Sequence, residues 1–255
     1  MIIILNVSNI FCGYDNRYII KGIEFNIKKG DNLCIIGPNG CGKTTLLKAL
    51  AYLIPYRGSI RLNGVEISQI DRKTLARDIA LMTQINSIYF PYTVFETVSL
   101  GRYAHINGLF SRLSSQDRDI VFDSLEKVGL IDIRDCKINE LSGGQLQRVF
   151  LAKIFAQDPK IILLDEPTNH LDLKCQIELL QYIREWSKQK ERAMVAVLHD
   201  LNLVQMYADK VLLLNQGAVH GYGAPRQVLS SGALEEVYNI DIKNWMTKAL
   251  IKWYK

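Results

Sequence analysis

Gly37-Pro38-Asn39-Gly40-Cys41-Gly42-Lys43-Thr44 fits the pattern G-x-x-x-x-G-K-[ST]. No other stretch limits the fold of this chain so tightly, because the pattern works only between a strand and a helix. Both neighbours are legible. Leu33–Ile36 is a short apolar run closed by Gly37 and reads as a buried strand. Thr44–Leu53 reads as a helix stopped by Pro55. Glycines let backbone N–H groups converge on an anion with no Cβ in the way. The helix N-terminus adds unsatisfied donors and the positive end of a dipole. Lys43 supplies a point charge for terminal phosphates, and the Thr44 hydroxyl can ligate Mg²⁺. A chance match in a chain this long has odds of about one in a hundred from residue frequencies alone.

A second apolar run, Ile161–Leu164, leads into Asp165 and Glu166. Ligands gather at the carboxyl ends of strands in doubly wound sheets. Asp165 is placed to hold Mg²⁺ with Thr44. Alternation along a strand turns Glu166 to the other side, where it can act as a base on an attacking water.

Composition supports a folded, water-exposed chain. Hydrophobic residues make up 48% and charged residues 22% of 255, which excludes disordered, collagen-like and polytopic membrane classes. No apolar run approaches the about 20 residues of a membrane span. The net charge of +5 comes without a dense basic block, so no nucleic-acid partner is expected. The five cysteines are odd in number and form no C-x-x-C pair, which fits reduced thiols. Cys41 stands beside Lys43 near a helix N-terminus, a setting that lowers a thiol pKa. The opening Met-Ile-Ile-Ile-Leu lacks a basic region and reads as a first strand rather than a signal peptide.

Strand and helix patterns alternate along most of the chain. Ser59–Leu62 and Val65–Ile67 flank Asn63-Gly64, a hairpin signal. Gln176–Lys190 reads as an amphipathic helix, and Met194–Leu198 and Val211–Leu214 as buried strands. Between about Phe90 and Phe155 the pattern turns helical, with Val94–Leu100, Ser115–Val128 and Gly143–Phe155. The expected fold is α/β: a P-loop core with a small N-terminal antiparallel β part and a helical insert. One domain is expected, with a core of 1–85 and 157–225, an insert of 86–156 and a C-terminal tail of 226–255.

Leu141-Ser142-Gly143-Gly144-Gln145 opens the last of those helices. A Ser and two glycines at a helix N-terminus make another anion cradle. One nucleotide hardly needs two cradles from one chain, so each can serve the nucleotide of a second copy. With these motifs in this order, the chain resembles the ATP-binding subunit of ATP-binding cassette (ABC) transporters over nearly its whole length.

The resemblance implies roles for single residues. Gly37–Thr44 with Thr45 would hold the phosphates of ATP, and Tyr14 would stack on adenine. Gln84, in Leu81-Met82-Thr83-Gln84, would be the Q-loop glutamine and touch Mg²⁺. Ser142, Gly143, Gly144 and Gln145 form the signature, followed by Gln147 and Arg148. Asn169-His170-Leu171-Asp172 looks like the D-loop, and His199 like the switch histidine at the γ-phosphate. Cys41 departs from the usual Ser and Leu146 from the usual basic residue. Two copies would pair head to tail, the P-loop of one facing the signature of the other.

Gly101-Arg102-Tyr103-Ala104-His105 and Asp117 look like the segment after the Q-loop in importers of iron chelates, haem and cobalamin. Molybdate and other oxyanion systems share that architecture. The resemblance implies a polytopic permease on the membrane, an extracytoplasmic binding protein, and a peripheral place on the cytoplasmic face. The aromatic and apolar Ile88, Tyr89, Phe90, Tyr92 and Phe95 are the expected permease contact. The alternative is an ABC ATPase without a permease, as in iron–sulfur cluster assembly.

Overall fold

The computed structural model describes residues 2–15, 17–83, 90–106, 112–189 and 192–252. Gln84, Ile88 and Tyr89 lie outside them.

Two sheets carry the fold. The strands are β1 (Ile3–Tyr14), β2 (Arg17–Lys28), β3 (Asn32–Ile36), β4 (Tyr56–Leu62), β5 (Val65–Glu66), β6 (Ile79–Met82), β7 (Ile161–Asp165), β8 (Ala193–Val197), β9 (Lys210–Asn215) and β10 (Ala218–Gly223). The first sheet has four antiparallel strands in the order β2-β1-β4-β5. The second has six, in the order β10-β9-β3-β8-β7-β6. Its strands run parallel except β10, which returns antiparallel to β9. This is the expected α/β class with its small antiparallel part.

The helices are α1 (Lys43–Leu50), α2 (Arg72–Asp78), α3 (Val94–Ser99), α4 (Ser115–Lys127), α5 (Gly143–Gln157), α6 (Leu173–Ser187), α7 (Leu201–Tyr207), α8 (Pro225–Leu229), α9 (Gly232–Tyr238) and α10 (Ile242–Ile251). A 3₁₀ stretch, Leu100–His105, follows α3 directly.

Every residue of β3, β7 and β8 is buried. Side chains alternate across a strand, so each strand feeds two cores. Cys34, Ile36, Ile162, Leu164, Met194 and Ala196 enter one core, with Val98, Leu125, Val149 and Ala152 of the helical stretch. Leu33, Ile35, Leu163, Val195 and Val197 enter the other, with α1 and the antiparallel sheet. The helical stretch therefore shares its interior with one face of the main sheet.

Several boundaries differ from the sequence reading. The first helix stops at Leu50, because Tyr52 turns left-handed at φ 54°. Leu53 is exposed, so an apolar residue extended the helical pattern past its end. The helix expected from Gln176 starts at Leu173, capped by Asp172, whose side chain accepts from Cys175 N. The sequence reading did not include β2, although Ile23, Phe25 and Ile27 alternate inward along it. The hairpin at Asn63-Gly64 forms as expected, with both residues at positive φ (50° and 84°).

The Gly101–His105 string has a structural task. Arg102 is buried, donates to Asp117 Oδ1 at 2.8 Å and to the Ala156 carbonyl at 2.7 Å. His105 Nε2 lies 2.8 Å from the Gln157 carbonyl oxygen. A Cβ on Gly101 would come 2.2 Å from the Lys153 carbonyl oxygen. The string thus pins the 3₁₀ stretch to α4 and to the end of α5.

Candidate active site

Strand β3 delivers the chain to Gly37, and α1 carries it away. Between them the backbone bends through left-handed glycines, Gly40 at φ 78° and Gly42 at φ 109°. The loop is braced from behind by the turn between β9 and β10. Gly217 N donates to the Cys41 carbonyl at 3.0 Å, and Lys21 N to the Gly217 carbonyl at 2.8 Å. Gly217 approaches β2 so closely that a Cβ there would stand 1.8 Å from Ile19 O.

The loop opens on a cavity of about 570 Å³. Asn39, Gly40, Gly42, Lys43, Thr44 and Thr45 line one side, and Glu166, Asn169 and His199 another. Lys43 is buried and donates from Nζ to the carbonyls of Gly37 and Pro38, both at 2.9 Å. Thr44 Oγ1 donates to Asp165 Oδ1 at 3.1 Å. Asp165 is buried, and burial pushes its carboxyl above the ordinary value; the neighbouring Glu166 adds to this, while Thr44, Lys48 and Lys43 oppose it. Two hard oxygens side by side next to phosphate-binding amides fit Mg²⁺ by donor type.

Glu166 reaches the cavity by a route that strand alternation does not describe. Strand β7 ends at Asp165, and Glu166 is left-handed at φ 53°. Its Oε1 lies 2.7 Å from His199 Nε2, and its Oε2 accepts from Asn169 Nδ2. His199 follows β8, so neighbouring strands of one sheet bring this pair together. A carboxylate and an imidazole facing a phosphate cradle can orient water and take its proton.

Cys41 corrects an expectation. Its side chain is buried behind the loop and absent from the cavity lining. Burial raises its thiol pKa, and this outweighs the lowering by Lys43 and by backbone N–H groups. Its backbone N–H donates to Pro38 O at 3.3 Å. Helix-terminus reasoning missed the closed rear wall.

Tyr14 ends β1 half exposed, with Lys48 Nζ of α1 5.9 Å from its ring centre. It stands beside the P-loop helix and is not among the described residues lining the cavity. Gln84 falls outside the described residues. The signature lies apart from the cavity. Ser142 caps α5, accepting from Gln145 N at 3.3 Å, while Gln145 Oε1 accepts from Ser142 N at 3.0 Å. Ser142 and Gly143 are exposed, and Gly144 packs over Cys175. Asp172 is exposed too, and its hydrogen bond from Cys175 N holds its carboxyl below the ordinary value. Asn169 and Ile19 are cavity residues that sequence reasoning did not single out for contact; Asn169 carried a signal, three residues after Glu166 in the D-loop string.

Comparison with known proteins agrees with this geometry. The ABC transporter domain matches residues 20–169. The iron(3+)-hydroxamate import ATP-binding protein FhuC of Bacillus subtilis is 37% identical across 93% of this chain and 88% of its own. The ferric enterobactin transport ATP-binding protein FepC of Escherichia coli is 37% identical across 89% of this chain and 84% of its own. A solved inward-facing transporter assigned to the metal-chelate type superposes with a TM-score of 0.82 and 31% identity, covering 94% of this chain and 90% of the other. The chain belongs to the ABC transporter family. Within it, the protein is an ATP-binding subunit and an ATPase. Among the described residues no helix is long and apolar enough to cross a membrane.

Proposed function

We propose that this ATPase powers import of ferric siderophores through a separate polytopic permease, from the cytoplasmic face of the membrane. An extracytoplasmic binding protein would deliver the solute. Similarity over about nine-tenths of the chain to subunits named for ferric hydroxamate and ferric enterobactin supports this solute class over haem, cobalamin or molybdate. Phe90 and Tyr92, with ring centres 5.7 Å apart, are the exposed ones among the described residues of the aromatic cluster assigned to the permease contact. Phe95 instead packs inward on Phe122 at 5.3 Å.

In this reading the P-loop residues hold ATP, Lys43 leaving its carbonyl partners for the β/γ-phosphates. Thr44, Asp165 and Gln84 would hold Mg²⁺; the ion, when bound, would offset phosphate charge. Glu166 accepts the proton of the attacking water, and His199 turns from Glu166 toward the γ-phosphate. Tyr14 stacks on adenine. Ser142, Gly143, Gly144, Gln145 and Asp172 act on the nucleotide of the second copy.

The test is complementation. Cells lacking this chain should lose uptake of labelled ferric hydroxamate and regain it with the intact chain, but not with Glu166→Gln. That variant should bind ATP and stay paired, with turnover down by about 10² or more. Near-normal turnover would remove Glu166 from the base role. Unaffected ferric uptake with lost cobalamin uptake would overturn the solute assignment.

A further inference from the structure

The position of Glu166 is not set by the sheet. Strand β7 ends one residue earlier, and Glu166 is left-handed. What fixes it is the turn it begins. Asn169 N donates to the Glu166 carbonyl at 3.2 Å, and Asn169 Nδ2 donates to Glu166 Oε2. Between them lies Pro167, which is buried and has no N–H to give. The Pro167 carbonyl accepts from Gln147 Nε2 at 2.7 Å. Gln147 lies on α5, the helix capped by Ser142. At about 1.5 Å per residue, Gln147 stands roughly 7 Å along the helix from its cap. One rigid helix thus ends at the signature and grips the turn that holds the proposed base.

We propose that Gln147 and Asn169 are positioning residues that tie the signature helix to Glu166 through the Glu166–Asn169 turn. This rests on the reading of Glu166 as the base. Gln147 sets the turn's place by holding Pro167 O. Asn169 sets the carboxylate's place by holding Oε2, while His199 meets Oε1. A displacement of α5, such as pairing at Ser142 would cause, reaches Pro167 O first and the Glu166 carboxylate next. Gln147 is not among the described residues lining the cavity, whereas Asn169 lines it with Glu166 and His199, so hydrolysis is compared at saturating ATP.

Steady-state hydrolysis by the full-length chain tests it, with ATP binding measured separately. Asn169→Asp is the decisive variant. It keeps the shape and turn preference of Asn but has no donor for a carboxylate, and brings a like charge. A tolerated Asp would mean that Asn169 serves only the turn's shape. The expected result is a kcat at saturating ATP at least about tenfold lower, the scale of misplaced reacting groups, while Gln147→Ala, whose side chain lies off the cavity lining, keeps its Kd for ATP within about twofold. Asn169→Ser, which keeps a donor, should recover part of that loss. Gln147→Ala should lower kcat by a smaller factor, and Gln147→Ala combined with Asn169→Ala should be no slower than Asn169→Ala alone, because both act through one turn. Multiplicative losses, a kcat near normal for Asn169→Asp at saturating ATP, or weakened ATP binding in Gln147→Ala would each overturn the relay. Glu166→Gln measured alongside separates the two readings. If it keeps turnover, the base assignment fails; if it collapses while Asn169→Asp does not, only the relay fails.

Discussion

Two stretches of this chain place glycines and a polar residue at the start of a helix, and they end in opposite circumstances. At Gly37–Thr44 the glycines are left-handed, the helix N-cap is Gly42 with no side-chain cap, and the loop lines an open cavity. At Ser142–Gln145 the helix is capped by its own side chains, and a Cβ on Gly143 would meet nothing within 4 Å. The first builds a binding site from one chain. The second is a shaped edge at which Ser142 and Gly143 are exposed among the described residues. The shared site proposed above would need that contrast: one complete cradle, and one surface left for another copy.

The sharpest way to break the contrast is to damage each side in turn. Lys43→Ala removes the buried ammonium, so ATP affinity should fall by about 10² or more, since hydrogen bonds from a charged donor to phosphate are among the strong ones. Ser142→Arg should leave the affinity of a single chain within about twofold, while hydrolysis drops by about 10² as donors to developing charge are lost. Equilibrium binding and turnover, measured on both variants, check this. A loss of affinity in Ser142→Arg equal to that in Lys43→Ala would erase the distinction. Mixed pairs of the two variants should regain part of the activity, since they can combine one intact P-loop with one intact signature.

A smaller effect concerns what holds the helical region that carries the signature. Asp117 partners Arg102 with both side chains largely covered (15% and 8% exposed). Asp117→Ala leaves Arg102 buried without that partner, an effect on the order of 3 kcal/mol. Thermal melting should fall by several degrees with ATP affinity unchanged. The Ser114 hydroxyl first, and Arg102 after it, hold the Asp117 carboxyl below its ordinary value. The sign follows: this stabilisation is complete above the unfolded carboxyl pKa near 3.9 and is lost as pH falls through the lower folded value. Melting curves below about pH 4 should therefore converge for the intact chain and the variant.

The smallest effect separates front from rear of the P-loop. Burial keeps the Cys41 thiol protonated at neutral pH, whereas Cys136 is exposed. Brief maleimide treatment of the folded protein should modify Cys136, leave Cys41 unlabelled by mass spectrometry, and spare ATP binding. Rapid labelling of Cys41 would mean that the loop's rear wall opens.

The sequence reading reached the P-loop, the Asp165-Glu166 pair and the helical region because each is written in adjacent residues. Glycine spacing, an apolar run ending in acids, and a change of period all survive without tertiary knowledge. What it missed depends on segments distant in sequence. The burial of Cys41 comes from a core it shares with Leu212 and Leu214, far along the chain, and no local rule reports it. The orientation of Glu166 comes from a left-handed residue just past a strand, where alternation no longer applies. Arg102 and His105 looked like marks of a subgroup, and their partners Asp117, Ala156 and Gln157 give them a packing role.

The brace at Gly217 bears on how fast this enzyme can cycle. A loop that re-forms around each arriving nucleotide must surrender about 1–2 kcal/mol of chain freedom per residue on every encounter. Here β2 and the β9–β10 turn grip the loop through Lys21, Gly217 and Cys41, so that freedom is surrendered once, when the chain folds. Product can then leave a loop that keeps its outline, and the next ATP finds the same mould. If two copies pair as proposed, the pace of the cycle would be left to the closing and parting of whole subunits rather than to the loop beneath the phosphates.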